Sequence, residues 1–212
     1  MIDPASIDLA EFLTTWYGPP SQSSAVLPKE VDWLPAPLKE WHILTSRRDK
    51  PVTYMTTLLS PEDIQVEDDG KAVFMVDSTD DWHWSFDPSD PDTVYEAALH
   101  EPWGRNPEST AQLLVHNAVR EVMFGATNKI WTFSVPDETL SKILSPLDRI
   151  GFESWHWLAP DYQILTGDCI VATVGRSVPG RPGWDVEIAS FEASALSGFD
   201  GIANVDWRRR SA

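Results

Sequence analysis

The chain has 212 residues, 42% of them hydrophobic, long enough to bury a core and too apolar for a disordered acidic tail. Its formal net charge is −17, from 16 Lys and Arg against 33 Asp and Glu, which disfavours direct contact with the phosphate backbone of nucleic acid. No run approaches 18 apolar residues, so a membrane-spanning helix is excluded.

The N-terminus, MIDPASIDLAEFL, carries acids where a secretory signal has lysines and a long apolar run, and a cytoplasmic location is expected. A single cysteine, Cys169, allows no internal disulfide, in keeping with a reducing compartment. Asp3 is placed to cap a first helix, with Pro4 at its first position and Ile7, Leu13 and Trp16 on one side; Gly18 and two prolines stop it. GPPSQSSAV reads as a linker. Leu27 to Arg48, with Leu38, Trp41 and Leu44, reads as a second helix despite Pro35 and Pro37. VTYMTTLL is rich in β-formers and reads as a strand. Ser60 to Asp63 is a capped turn, EDDGK a second turn, AVFMV a strand and DWHWSF the next.

DPSDPD is a turn leading into the strand TVYEAA. Asn106-Pro107-Glu108 opens a helix with Ala111, Leu114, Val115, Ala118, Val119 and Val122 at helical spacing, ended by Gly125. WTFSV reads as a strand, and a helix starting at Ser134 runs through Leu140, Ile143 and Leu147 to Gly151. SWHWLAP, YQILTG, CIVATVG and WDVEIASF are strand candidates, and Ala193 to Ile202 a last short helix. Helices bracket the strands instead of alternating with them. The expectation is an α+β fold in a single domain, a mostly antiparallel central sheet flanked by helices. Residues 1–26 form an N-terminal helix and linker, 27–207 the domain, and 208–212 a basic tail that reads as solvated. The strongest seam is Gly125 to Lys129, and one sheet is expected to cross it.

Two Trp-His-Trp triplets stand out, at Trp82 to Trp84 and Trp155 to Trp157. On a strand the two tryptophans share a face and the histidine points away. A Trp pair on a core face accounts for both triplets without chemistry. The sharper reading is a cation held by His83 with two or three of Asp77, Asp80, Asp81 and Asp87, but the acids lack the glycine and closing glutamate of an EF-hand. No nucleophile elbow, phosphate loop or dinucleotide fingerprint is present, and Cys169 reads as an inert thiol in an apolar strand. Neither a catalytic residue, a cofactor nor a metal is expected.

Charge is unevenly spread. Met1 to Thr127 holds 22 acids and 8 bases, and within it Pro61 to Glu101 holds 13 acids and one base, Lys71. Such a surface attracts basic proteins and speeds encounter with them. The residues expected to make a partner-binding acidic face are Glu67, Asp68, Asp69, Asp77, Asp80, Asp81, Asp87, Asp90 and Asp92.

From Leu34 onward the order of features resembles the SUKH superfamily, which groups cell-wall-assembly-regulator-like proteins and bacterial toxin immunity proteins. LPAPLKEWHIL is similar to its Leu-Pro helix entry, LLSPEDI to its strand end and short turn, and AVFMVDSTDDWHWSFD to its central strand, polar connection and Trp-bearing strand. DPDTVYEA with the following PW and ESTAQLLVHNAVREVMF resemble its Pro-rich strand and long helix. SWHWLAP and WDVEIASFEASALSGFD resemble its C-terminal strands and final helix. Where many members carry an acid-Asn-Gln signature, this chain reads Asp77-Ser78-Thr79, so only the acid carries over. The resemblance implies a non-catalytic protein that binds a protein partner, an immunity protein covering a basic toxin domain such as a nuclease. Its rivals are a housekeeping regulator, an acidic DNA mimic and, last, a hydrolase using His83.

Overall fold

The computed structural model describes residues 1–23, 26–155, 157, 162–178 and 180–210. They form two compact units, Ile7–Glu121 and Met1–Ser6 with Val122–Ala212. The α+β class stands, and each unit has its own antiparallel sheet. In place of one sheet crossing Gly125 to Lys129, strand pairing stops on either side of the long helix and resumes with new partners beyond it.

In the unit Ile7–Glu121 the first helix is α1 (Leu9–Tyr17). Its cap is Asp8, whose Oδ1 accepts from Glu11 N at 2.9 Å, while the expected cap Asp3 closes only a single 3-10 turn at Pro4–Ser6. Helix α2 (Ala36–Thr45) begins after Pro35 and keeps Pro37 in its first turn, where a missing N–H costs no helical bond. The expected helix from Leu27 therefore shortens to ten residues, preceded by a 3-10 turn at Lys29–Val31. The sheet is a meander of β1 (Thr56–Leu58), β2 (Ala72–Asp77), β3 (Trp82–Asp87), β4 (Asp90–Ala98) and β5 (Gly104–Ser109), in that order.

Asn106-Pro107-Glu108, expected to open a helix, lies within β5. Proline disfavours helical geometry in the residue before it, and on an edge strand its missing N–H costs no ladder bond. Asn106 and Glu108 are buried and Pro107 is exposed, so the strand alternates as an edge strand should. Helix α3 (Thr110–Gly125) then starts at Thr110, whose hydroxyl donates to Pro91 O at 2.7 Å.

The core of this unit includes Trp41, Phe74, Trp84 and Phe86, each at most 2% exposed. Trp84 thus answers the first triplet: it is a core side chain, with Phe86 beside it and Trp82 half-buried on the same strand face. Under α3 the interior turns polar. His116, Asn117, Arg120 and Glu121 follow each other at one helical face and are all buried, as are Glu96 and Glu108. His116 Nδ1 lies 3.0 Å from Glu108 Oε1. The Glu121 carboxylate accepts from the backbone N–H groups of Tyr54, Met55 and Thr56 and from Thr56 Oγ1, at 2.6 to 3.1 Å. A charged acceptor bonded by three consecutive amides fixes the start of β1 against α3.

The second unit is built on β6 (Asn128–Val135), α4 (Asp137–Leu144), β7 (Asp148–Arg149), β8 (Gln163–Gly167), β9 (Ile170–Arg176), β10 (Trp184–Ser190) and β11 (Arg208–Arg210). Sheet order is β11-β6-β10-β9-β8-β7, and Ile130, Ile143, Val186, Ile188, Leu196 and Phe199 form part of its core. The helix expected from Ser134 starts at Asp137, because Ser134 lies within β6 at an irregularity in its pairing with β10, at a φ of 56°, and its N–H donates to Asp185 Oδ1.

The basic tail is also corrected. Arg208, Arg209 and Arg210 pair with Trp131, Ile130 and Lys129, so the segment is an edge strand and not a loose tail, although all three residues are exposed as expected. Arg209 forms an ion pair with Asp200, and the Arg210 guanidinium donates to Phe124 O and Ala126 O at the C-terminal end of α3, where unpaired carbonyls attract a cation.

Around the second triplet, Trp155 and Trp157 are buried at 5% and 8% exposure but lie outside any strand; His156 and Leu158 to Asp161 lie outside the described residues. Gly183 shows how tightly the sheet is closed here. At a φ of +92°, an added Cβ would come within 2.7 Å of Val135 O. Gly183→Ala is expected to lower stability by about 1–3 kcal/mol, measurable by urea denaturation.

Candidate protein-binding surface

The nine acids expected to form one face fall at opposite ends of the five-stranded sheet. Antiparallel pairing of β2 with β3 sets Ala72 against Phe86 at one end and Val76 against His83 at the other. The strand between them is six residues long, roughly 17 Å.

At the far end stand Asp77, Asp80 and Asp81. Asp77 is 7% exposed and works as a turn anchor. Its Oδ1 accepts from Asp81 N at 2.7 Å and Trp82 N at 3.0 Å, and its Oδ2 accepts from Thr79 Oγ1 at 2.8 Å. The acid of the Asp77-Ser78-Thr79 stretch therefore holds the β2–β3 turn. Asp80, at a φ of 62°, places Oδ1 2.9 Å from His83 Nε2. Among the described residues no group of three or more His, Cys, Asp or Glu is arranged to hold a metal ion, so the cation reading of His83 has no geometry behind it. Cys169 lies in the turn before β9 at a φ of 61°, not inside the strand as expected; partial burial, then Glu192 and Asp168, push its thiol pKa up, away from nucleophilic reactivity.

At the near end the remaining six acids come together. Glu67, Asp68 and Asp69 form the turn before β2, closed by Glu67 N to Lys71 O at 2.8 Å and by Gly70 at a φ of 80°. Asp87, Asp90 and Asp92 surround the β3–β4 hairpin. All except Asp87 are exposed. Lys71, the base within the acidic stretch, joins Asp87 at 3.1 Å and sits 4.1 Å above the Tyr95 ring. Arg105 is paired across from Tyr95 on β5. The Trp103 indole donates to Asp69 Oδ2 at 2.7 Å. Six acids against two bases leave this end strongly negative.

Two apolar side chains complete the surface. Val66 is bridged to Ala72, Ala72 pairs with Phe86 and Phe86 with Val94, so the four share one sheet face. Trp33 lies against Phe86 with ring centroids 5.8 Å apart and remains 41% exposed, and Val66 is 52% exposed. Neither was marked by sequence reasoning. Trp33 fell inside the expected second helix, whose apolar spacing suggested burial, and nothing local distinguishes an exposed tryptophan from a core one.

Asp87 has the clearest electrostatic consequence. The Ser89 hydroxyl and backbone N–H, then Lys71, pull its carboxyl down to about 2. That lies below the unfolded value of about 3.9, so ionised Asp87 favours the folded state above pH of about 4. The contribution is lost as pH falls towards about 2. An NMR titration of the folded protein should give that midpoint, and Ser89→Ala should raise it; a midpoint unmoved by Ser89→Ala would reject the assigned cause.

The second unit holds an open apolar groove of about 830 Å³ between α4, β8 and the 3-10 turn at Ala193–Phe199, walled by Ile2, Leu147, Ile170, Phe199 and Ile202. No helix of the described residues is long and apolar enough to cross a membrane. Compared with known proteins, the chain matches no family model, no curated protein and no solved structure.

Proposed function

We propose that the chain is a non-catalytic protein-binding protein of the SUKH type, working in the cytoplasm as an immunity protein that neutralises a basic toxin domain. The observation that carries this reading is the meeting, at one end of a sheet, of five exposed acids with exposed Trp33 and Val66. Acids alone attract any basic protein. A tryptophan held on Phe86 adds a rigid anchor of the kind that dominates binding energy at interfaces. This combination favours one selective partner over the indiscriminate blocking expected of a DNA mimic.

The direct experiment is capture from lysate on the immobilised full chain at low and high salt, with identification of what is retained. One basic protein whose retention weakens with salt is the expected result. Retention of many unrelated nucleic-acid-binding proteins would favour the mimic, and retention insensitive to both salt and Trp33→Ala would remove this surface from the reading.

A further inference from the structure

The unit that holds the six-stranded sheet carries a surface opposite in character to the acidic end of the first sheet. Asn128 to Ala212 has 8 bases against 11 acids, and six of the eight are arginines. Two of them, Arg181 and Arg208, stack on one ring: their guanidinium carbons lie 5.9 and 5.2 Å from the centroid of Phe133. Strand pairing brings Arg208 there, opposite Trp131 and so beside the stretch of β6 that holds Phe133. A turn closed by Arg181 N to Val178 O at 3.0 Å brings Arg181. Phe133, Val178 and both arginines are exposed.

Neither guanidinium is neutralised. Arg209 is paired with Asp200 and Arg210 is bonded to carbonyls, but Arg181 and Arg208 form no ion pair among the described residues. The acids of β10 are committed elsewhere: Asp185 Oδ1 accepts from Ser134 N and Ser177 Oγ, and Glu187 is paired with Lys129 at 2.5 Å. A guanidinium stacked on a ring keeps its N–H edge free, and that edge takes a carboxylate in bidentate fashion. Arginine and aromatic side chains are also the residues enriched at protein interfaces.

We propose that this surface docks the acidic end of the five-stranded sheet of a second copy of the chain. The two are complementary in kind: Arg181, Arg208, Phe133 and Val178 on one, exposed carboxylates with Trp33 and Val66 on the other. Nucleic acid fits less well, because a chain of net charge −17 repels phosphates and two free arginines displace few counterions. The contact is heterologous, so a joined pair still offers one free surface of each kind, and association continues unless it closes into a ring. It covers the acidic end that the proposed function gives to a basic partner, so a second copy and that partner exclude each other.

Sedimentation velocity of the full chain alone is the test, and a negative result leaves the immunity reading standing because no partner is involved. Copies of net charge −17 repel at long range, but that repulsion reaches only about 8 Å at 0.15 M salt against about 30 Å at 0.01 M. Reversible self-association with a dissociation constant on the order of 0.1 mM is expected at about 0.15 M salt. It should be roughly threefold weaker at about 0.01 M, and weaker again at about 1 M, where the ion pairs themselves are screened. Arg181→Glu with Arg208→Glu, or Glu67→Lys with Asp68→Lys and Asp92→Lys, should each weaken it at least about tenfold. Mixed one to one, the two variants should associate again, because each retains the surface the other has lost; a misfolded variant could not do this. A chain that stays monomeric up to about 1 mM, reversals that leave association unchanged, or a mixture that stays apart overturns the proposal. So does saturable binding of single-stranded oligo(dT) that the arginine reversals abolish, which would assign the surface to nucleic acid.

Discussion

Glu121→Ala is expected to lower the unfolding free energy by at least about 3 kcal/mol, because it leaves three neighbouring backbone N–H groups without their acceptor, each worth about 1–3 kcal/mol when buried and unpaired. The carboxylate is 1% exposed and takes bonds from Tyr54, Met55 and Thr56, the residues that lead the chain into β1. Thr56 is itself buried and also exchanges hydrogen bonds with Asn117, one helical turn before Glu121, so the same loss spreads to that pair. Glu121→Gln keeps an acceptor oxygen and the side-chain volume, and its cost should be clearly smaller. Guanidinium denaturation of both variants gives the comparison. An alanine variant within about 1 kcal/mol of the parent would mean that water reaches these amides and that the carboxylate is not what fixes β1.

The second large effect concerns the proposed interface. Glu67→Lys, Asp68→Lys and Asp92→Lys change three exposed side chains at the near end of the sheet. Combined, they are expected to slow association with the captured basic partner by roughly 10–100-fold at low salt, with a much smaller effect at high salt. Trp33→Ala acts differently. Removing the anchor should weaken binding by about 2 kcal/mol, roughly thirtyfold, mainly by faster dissociation. Trp33→Phe, which preserves the contact with Phe86, should recover part of that loss. Surface plasmon resonance at two salt concentrations separates the two effects. The same reversal made at Asp80 and Asp81, at the far end, serves as the contrast: an equal loss there would show that overall charge, not this end of the sheet, draws the partner.

Much of this architecture was legible from local chemistry. Strand alternation and turn residues mark β2, β3, β8, β9 and β10, and Gly70 and the acids around it mark the turn that brings Glu67, Asp68 and Asp69 together. The α+β class follows from helices bracketing strands, and the burial of Trp84 follows from its place in an apolar strand. These features depend on neighbours within a few residues, where conformational preference and period are set.

The rest depended on partners distant in sequence. Asn106 to Glu108 carries a helix-start pattern, yet it lies in an edge strand, at the irregularity between the β4 pairs of Arg105 and Ser109, where Pro107 is accepted and α3 takes up the buried Glu108 through His116. Three consecutive arginines look like a solvated tail until β6 supplies a ladder and the end of α3 supplies carbonyls for Arg210. A run of acids in sequence looks like one face, but antiparallel pairing sends Asp77, Asp80 and Asp81 to the end of the sheet opposite Glu67, Asp68, Asp69, Asp87, Asp90 and Asp92. Composition and order determined the class, the charge and the turns. Only the tertiary structure decided that the strands close into two sheets and that Trp33 stands exposed beside the acids, because each is a meeting of groups that the chain places far apart.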